Sequence, residues 1–74
     1  MGAYRIEQQQ NGTCIIRGKR IEQFVVMTDF KSRGAIDRFR DVVERIGLLR
    51  ALDRLGRTEE TPIFIGNIQV DSFL

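Results

Sequence analysis

Apolar residues in this chain keep two different periods, and the points where the period changes constrain the fold more than any other feature. From residue 4 to 18 the side chains alternate: Tyr4, Ile6 and Gln8 precede Gln10-Asn11-Gly12, and Cys14 and Ile16 follow it. Alternation marks a strand with one buried face, and two such runs around a turn signal read as a β-hairpin. Burial selects the register. A two-residue turn at Asn11-Gly12 would set Ile6 opposite Arg17 and Ile16 opposite Glu7, leaving neither face apolar. A three-residue loop sets Ile6 opposite Ile16 and Gln8 opposite Cys14, and collects Tyr4, Ile6, Cys14 and Ile16 on one face. Such a loop ends in a residue of left-handed conformation, a place suited to Gly12. The bulged three-residue loop is therefore expected, since a one-residue slip would turn every apolar side chain outward.

After Gly18-Lys19-Arg20 the period lengthens. Ile21, Phe24, Val25 and Thr28 recur at helical spacing, which predicts a short helix over 20–28. Val26 and Met27 widen its apolar side and imply burial on a second flank. Ser32 has the side chain of an N-cap, and beyond it Ile36, Phe39, Val42, Val43 and Ile46 trace a stripe opposite Asp37, Arg38, Arg40, Asp41, Glu44 and Arg45. This predicts a helix over 35–46. Gly47 interrupts it, as glycine does at the residue following a helix. Leu48, Leu49, Leu52 and Leu55 then carry a second, shorter helix to 55. The leucine stripe spans barely one heptad, so it reads as core and not as a zipper.

Alternation returns at Pro62. With Gly66-Asn67 as a two-residue turn, Ile65 faces Ile68 and Ile63 faces Val70, a second hairpin with one apolar face. Phe64 and Phe73 fall on its other face, where another domain or chain could cover them. The order is β-β-α-α-α-β-β, a two-layer α+β domain whose two hairpins form a four-stranded sheet with helices packed on one face. Residues 4–74 read as a single domain and Met1-Gly2-Ala3 as a start added ahead of it.

Composition excludes several kinds of chemistry. Histidine is absent and cysteine occurs once, at Cys14, which removes histidine-based triads, histidine metal ligands and an internal disulfide. No GxxxxGK[ST] or GxGxxG loop is present, so no phosphate cradle and no cofactor site is expected in this chain. Cys14 lies on the apolar hairpin face and reads as a small buried hydrophobe. Asp37 and Asp41 alternate with arginines as a solvated face, and Glu59-Glu60 occupy a polar loop; no catalytic or metal-binding residue is assigned. Charge is nearly balanced, with twelve basic and ten acidic residues for a net +2. All the basic residues but Lys19 and Lys31 are arginine. Arg50, Arg54 and Arg57 form the densest basic cluster, partly offset by Asp53. They are the expected docking residues for an acidic partner or RNA, and Phe64 and Phe73 the expected apolar contacts.

The run Gly18-Lys19-Arg20-Ile21-Glu22 followed by Met27-Thr28-Asp29-Phe30 resembles the C-terminal domain of the Obg GTPases. The likeness continues through Ile36, Arg38-Phe39, Gly47, Ala51-Leu52, Gly56 and Ile65-Gly66, over about residues 4 to 73. The chain departs from that family's pattern at three places. Glu60-Thr61-Pro62 stands where a Gly-Asp pair precedes the third strand, and Arg33 and Gly34 replace a proline and an acidic residue opening the long helix. The segment Val70-Asp71-Ser72-Phe73-Leu74 is less acidic than usual.

The resemblance implies a small α+β unit with a four-stranded sheet, serving as a non-catalytic accessory domain. The parent proteins carry a glycine-rich N-terminal domain and a G domain that binds GTP and magnesium. They act in maturation of the large ribosomal subunit and in stress signalling. The expected partners are therefore ribosomal components or the parent G domain, in the cytoplasm, away from membranes, with this chain a monomer or weak dimer. The alternatives are a stand-alone homodimeric interaction module built on Phe64 and Phe73, and a small RNA-binding module built on Arg50, Arg54 and Arg57.

Overall fold

The computed structural model of the chain describes residues 2–74; Met1, part of the expected added start, lies outside the described residues. Strands β1 (Arg5–Gln8) and β2 (Cys14–Arg17) pair antiparallel with Ile6 opposite Ile16 and Gln8 opposite Cys14. This is the register that burial demanded. Gln9 N–H donates to Thr13 O at 2.8 Å, Asn11 Oδ1 accepts from Thr13 N–H at 3.0 Å, and Gly12 takes φ +90°. Gln10-Asn11-Gly12 is thus the three-residue loop, closed partly by an asparagine side chain acting as a backbone substitute.

Three helices follow: α1 (Lys19–Val26), α2 (Arg33–Arg45) and α3 (Leu48–Arg54). Each spans the predicted stretch with ends shifted by one or two residues. Ser32 caps α2, its side chain accepting from Ala35 N–H at 3.4 Å. Gly47, at φ +80°, separates α2 from α3, and its carbonyl then accepts from Ala51 N–H at 3.1 Å to open α3. A left-handed residue here ends one helix and starts the next without a connecting loop. The corner is fastened from outside, because the Tyr4 hydroxyl donates to Ile46 O at 3.0 Å. That carbonyl belongs to the group left without helical partners at a C-terminus.

Strands β3 (Ile63–Ile65) and β4 (Ile68–Gln69) form the second hairpin, with Ile65 opposite Ile68 and Val70 N–H donating to Ile63 O at 2.8 Å. Gly66 has φ +59°, whereas Asn67 stays out of the positive-φ region. Positive φ at the first turn position alone favours a II′ turn over I′. β3 lies parallel to β2, Cys14 opposite Ile63 and Ile16 opposite Ile65, so the sheet runs in sequence order from β1 to β4. The two hairpins are joined edge to edge, and the helical segment supplies the long connection that a parallel pair requires.

The core lies between sheet and helices. Cys14, Ile16, Ile63, Ile65 and Val70 come from the sheet side, and Ile21, Val25, Phe39, Val43, Leu48 and Leu52 from the helices; all are fully buried. Among the described residues no polar or charged residue is buried. Phe39 holds the centre of an aromatic chain: Phe24 stacks near it at 6.3 Å, Phe30 meets it edge-on at 5.1 Å, and Phe30 stacks on Phe73 at 4.5 Å.

Two expectations need correction here. Phe73 does not share the outer sheet face with Phe64. The ladder ends at Val70, and Asp71–Phe73 form a single 3₁₀ turn that rotates the ring inward onto Phe30. Alternation holds only while the chain remains a strand. Likewise, the second apolar flank of α1 is not buried: Val26 is 72% exposed and Met27 84%.

Candidate functional site

Three surfaces carry the residues singled out from the sequence. The first is α3 and the loop after it. Arg50 and Arg54 are exposed one helical turn apart. Arg57 is held otherwise, with its Nε donating to Asp53 Oδ1 at 2.8 Å and its side chain only 20% exposed. Among the described residues Arg50 and Arg54 make no ion pair, whereas Arg57 is set apart from them electrostatically by Asp53. A cavity of about 400 Å³ opens beside Arg57, lined by Asp53, Thr58, Glu59, Ile63, Asp71 and Leu74. Three carboxylates against one paired arginine make this lining unfit for a triphosphate, whose charge it would repel. Among the described residues no group of three or more Cys, Asp or Glu is disposed to hold a metal ion.

Asp71 closes the base of that cavity. Burial acts to raise its carboxyl pKa, but hydrogen bonds from the Gln69 side chain, from Ile63 N–H (3.2 Å) and from its own backbone outweigh it, and the value falls below the ordinary one. Asp71 thus works as a clasp on the start of β3. No spacing rule in the sequence announces that role.

The second surface is the outer face of the sheet. Phe64 stands there, half-buried, level with Ile15 of β2, and the register puts Arg5, Glu7 and Arg17 on the same face. Glu7 accepts from Arg17 Nε at 2.9 Å and from Arg5 Nε at 3.0 Å. Those two hydrogen bonds, Arg17's first, hold its carboxyl below the usual range. Phe64 remains a contact candidate on this face; Phe73, stacked in the aromatic chain, does not accompany it.

The third surface is the apolar flank of α1 that the sequence leads one to expect buried. Val26 and Met27 project at the end of α1, next to a groove of about 260 Å³ between α1 and α2, lined by Phe24, Met27, Thr28, Ala35 and Arg38. The signal was present as two apolar residues outside the helical stripe. Cys14, by contrast, sits where expected: its Sγ is buried 3.9 Å from Gly12 O, and burial pushes the thiol pKa up, away from thiolate chemistry.

A family model described as a domain of unknown function, DUF1967, matches residues 4–71, which take in all four strands and all three helices. The chain belongs to this family, the C-terminal domain of Obg GTPases. Among curated relatives, the GTPase Obg of Heliobacterium modesticaldum is 26% identical over 68 residues, covering 92% of this chain and 15% of the relative. The GTPase Obg of Rubrobacter xylanophilus is 27% identical over 64 residues, covering 86% of this chain and 16% of the relative. The chain therefore spans about a sixth of the length of the Obg relatives it matches. No solved structure gives a significant match. Among the described residues of this Obg C-terminal domain, no helix is long and apolar enough to cross a membrane.

Proposed function

We propose that this chain is a non-catalytic accessory domain of an Obg-type GTPase, acting by contact with the ribosome or with the parent G domain and so biasing the GTPase cycle. The match of the family model to residues 4–71 carries the reading, since it takes in every strand and helix. The chemistry of the chain supports it: the one cysteine is buried, histidine is absent and the cavity beside Arg57 is acid-lined. On this reading GTP and magnesium belong to the parent protein, and this domain offers surfaces in place of a reaction centre. Function passes here by family membership, because a fold alone does not specify it.

Two measurements test the proposal. The isolated chain titrated with GTP and magnesium in a calorimeter should show no saturable heat and release no phosphate; saturable binding with hydrolysis would overturn the accessory reading. The chain should also pellet with large ribosomal subunits, or bind the G domain of a GTPase Obg in solution. Failure of both contacts would refute the mechanism.

A further inference from the structure

We propose that the groove between α1 and α2 is a docking site for a protein segment that inserts an apolar side chain and carries carboxylates beside it. The proposal concerns the chemistry of the occupant and holds whichever protein supplies it. Its first support is the apolar character of the site. Phe24, Met27 and Ala35 contribute the walls, and the polar group among them, the Thr28 hydroxyl, already donates to Phe24 O at 2.7 Å. Walls of this kind reward an apolar side chain. Met27, 84% exposed, extends the apolar area beyond the rim. Methionine suits such a rim because its unbranched thioether adapts to differing partner shapes.

The second support is charge. Arg38 stands at the groove, and among the described residues its guanidinium has no carboxylate within the 4.0 Å of an ion pair. Ala35 of the lining belongs to the first turn of α2, which opens with Arg33 and carries no acidic residue. Lys31 precedes it, and the nearby Asp29 carboxylate is turned onto Lys31 N–H at 2.9 Å. A helix N-terminus and unpaired arginines both favour an incoming carboxylate. Charge also rejects a second copy of this chain. A two-fold interface apposes the same patch on both sides, so Arg38 would meet a groove face that carries the same arginine and no carboxylate, and like-charge juxtaposition opposes association.

The test uses the chain with its methionine methyls and backbone amides isotopically labelled for NMR. Two synthetic helical peptides serve as probes, both with leucine at i, i+3, i+4 and i+7, one with glutamate and the other with lysine at the remaining positions. Poly(U) RNA is the third. The glutamate peptide should shift the Met27 methyl and the Phe24, Thr28 and Ala35 amides, and should bind at least about tenfold more tightly than the lysine peptide. Arg38→Glu should reverse that preference. Met27→Ser, which alters an exposed side chain and keeps the fold by circular dichroism, should weaken the glutamate peptide. The proposal fails if the Met27 methyl does not move, if both peptides bind equally, if the shifts centre on Ile15 and Phe64, or if poly(U) shifts the same methyl as strongly.

Discussion

The position of Phe73 can be decided by how much stability its ring carries. If it lay on the outer sheet face beside Phe64, truncation would cost no more than an ordinary surface substitution, about 0.5 kcal/mol. In the structure it is part-buried and stacked on Phe30 at 4.5 Å with an interplanar angle of 24°. Full burial of a phenylalanine is worth about 1.5–3 kcal/mol, so half-burial contributes about 1 kcal/mol. The stacked pair adds about 0.5–1.5 kcal/mol. Phe73→Ala should therefore cost about 2 kcal/mol. For a domain of this size that lowers Tm by roughly 8–16 °C, and it is a large share of a total stability of about 4–11 kcal/mol. The chain has no tryptophan, so urea unfolding is followed by far-UV circular dichroism. A double-mutant cycle with Phe30→Ala isolates the pair and should return a coupling of about 0.5–1.5 kcal/mol. Phe64→Ala, far from Phe30, should show no such coupling. A loss for Phe73→Ala below about 0.5 kcal/mol, with no coupling to Phe30, would refute the inward placement.

Gly66→Ala should destabilise by about 1–3 kcal/mol in the same urea assay, since φ is +59° and the new Cβ would stand 2.7 Å from Glu22 Oε1. Moving that carboxylate away would break its hydrogen bond from Gly18 N–H (2.9 Å), so a neutral outcome would mean that the Glu22 carboxylate does not lie against Gly66. Asp71 has a folded pKa below its unfolded value, so it contributes stability that is complete above the unfolded pKa, about 3.9, and is lost as pH falls through the lower folded one. Asp71→Asn should therefore flatten the fall in Tm below about pH 4, and an unchanged acid profile would contradict the hydrogen bonds assigned to it. Arg57→Ala should cost about 1 kcal/mol through lost packing of its stem, whereas Arg50→Ala and Arg54→Ala should each stay within about 0.5 kcal/mol. Equal effects at all three, measured by thermal melts, would restore them as one exposed cluster.

The parts of this fold legible in the sequence are those fixed by local turn chemistry and burial together. Gly12 permits only one loop that keeps Ile6 and Ile16 on the same face, and Gly66-Asn67 does the same for Ile63 and Val70, so both hairpin registers follow from a few residues. Gly47 likewise divides two helices that share one apolar stripe. The parallel pairing of β2 with β3 is a different matter. It joins Cys14 to Ile63 across the whole helical segment, and no nearby residue encodes an edge-to-edge contact between chain regions so far apart. Phe73 misled for a related reason, because nothing in its spacing declares that the strand has ended; the Asp71 side chain does so by bonding back to Ile63 N–H.

The exposed end of α1 has a physical explanation that periodicity alone conceals. An eight-residue helix against one sheet can bury a single stripe, here Ile21 and Val25, with Phe24 at its margin. Val26 and Met27 lie one and two positions beyond Val25, rotated about 100° and 200° from it, so they cannot join the stripe without a second layer on that flank. α2 covers only the Phe24 side. Two large apolar side chains therefore remain at the surface of a domain whose core is already complete, beside an arginine with no carboxylate partner. A change that removes only the apolar contact and repels carboxylates, such as Met27→Glu, should leave stability within about 0.5 kcal/mol while abolishing docking of the acidic peptide. Loss of stability well beyond that would mean that Met27 belongs to the core of the domain and that its exposure reflects no binding role.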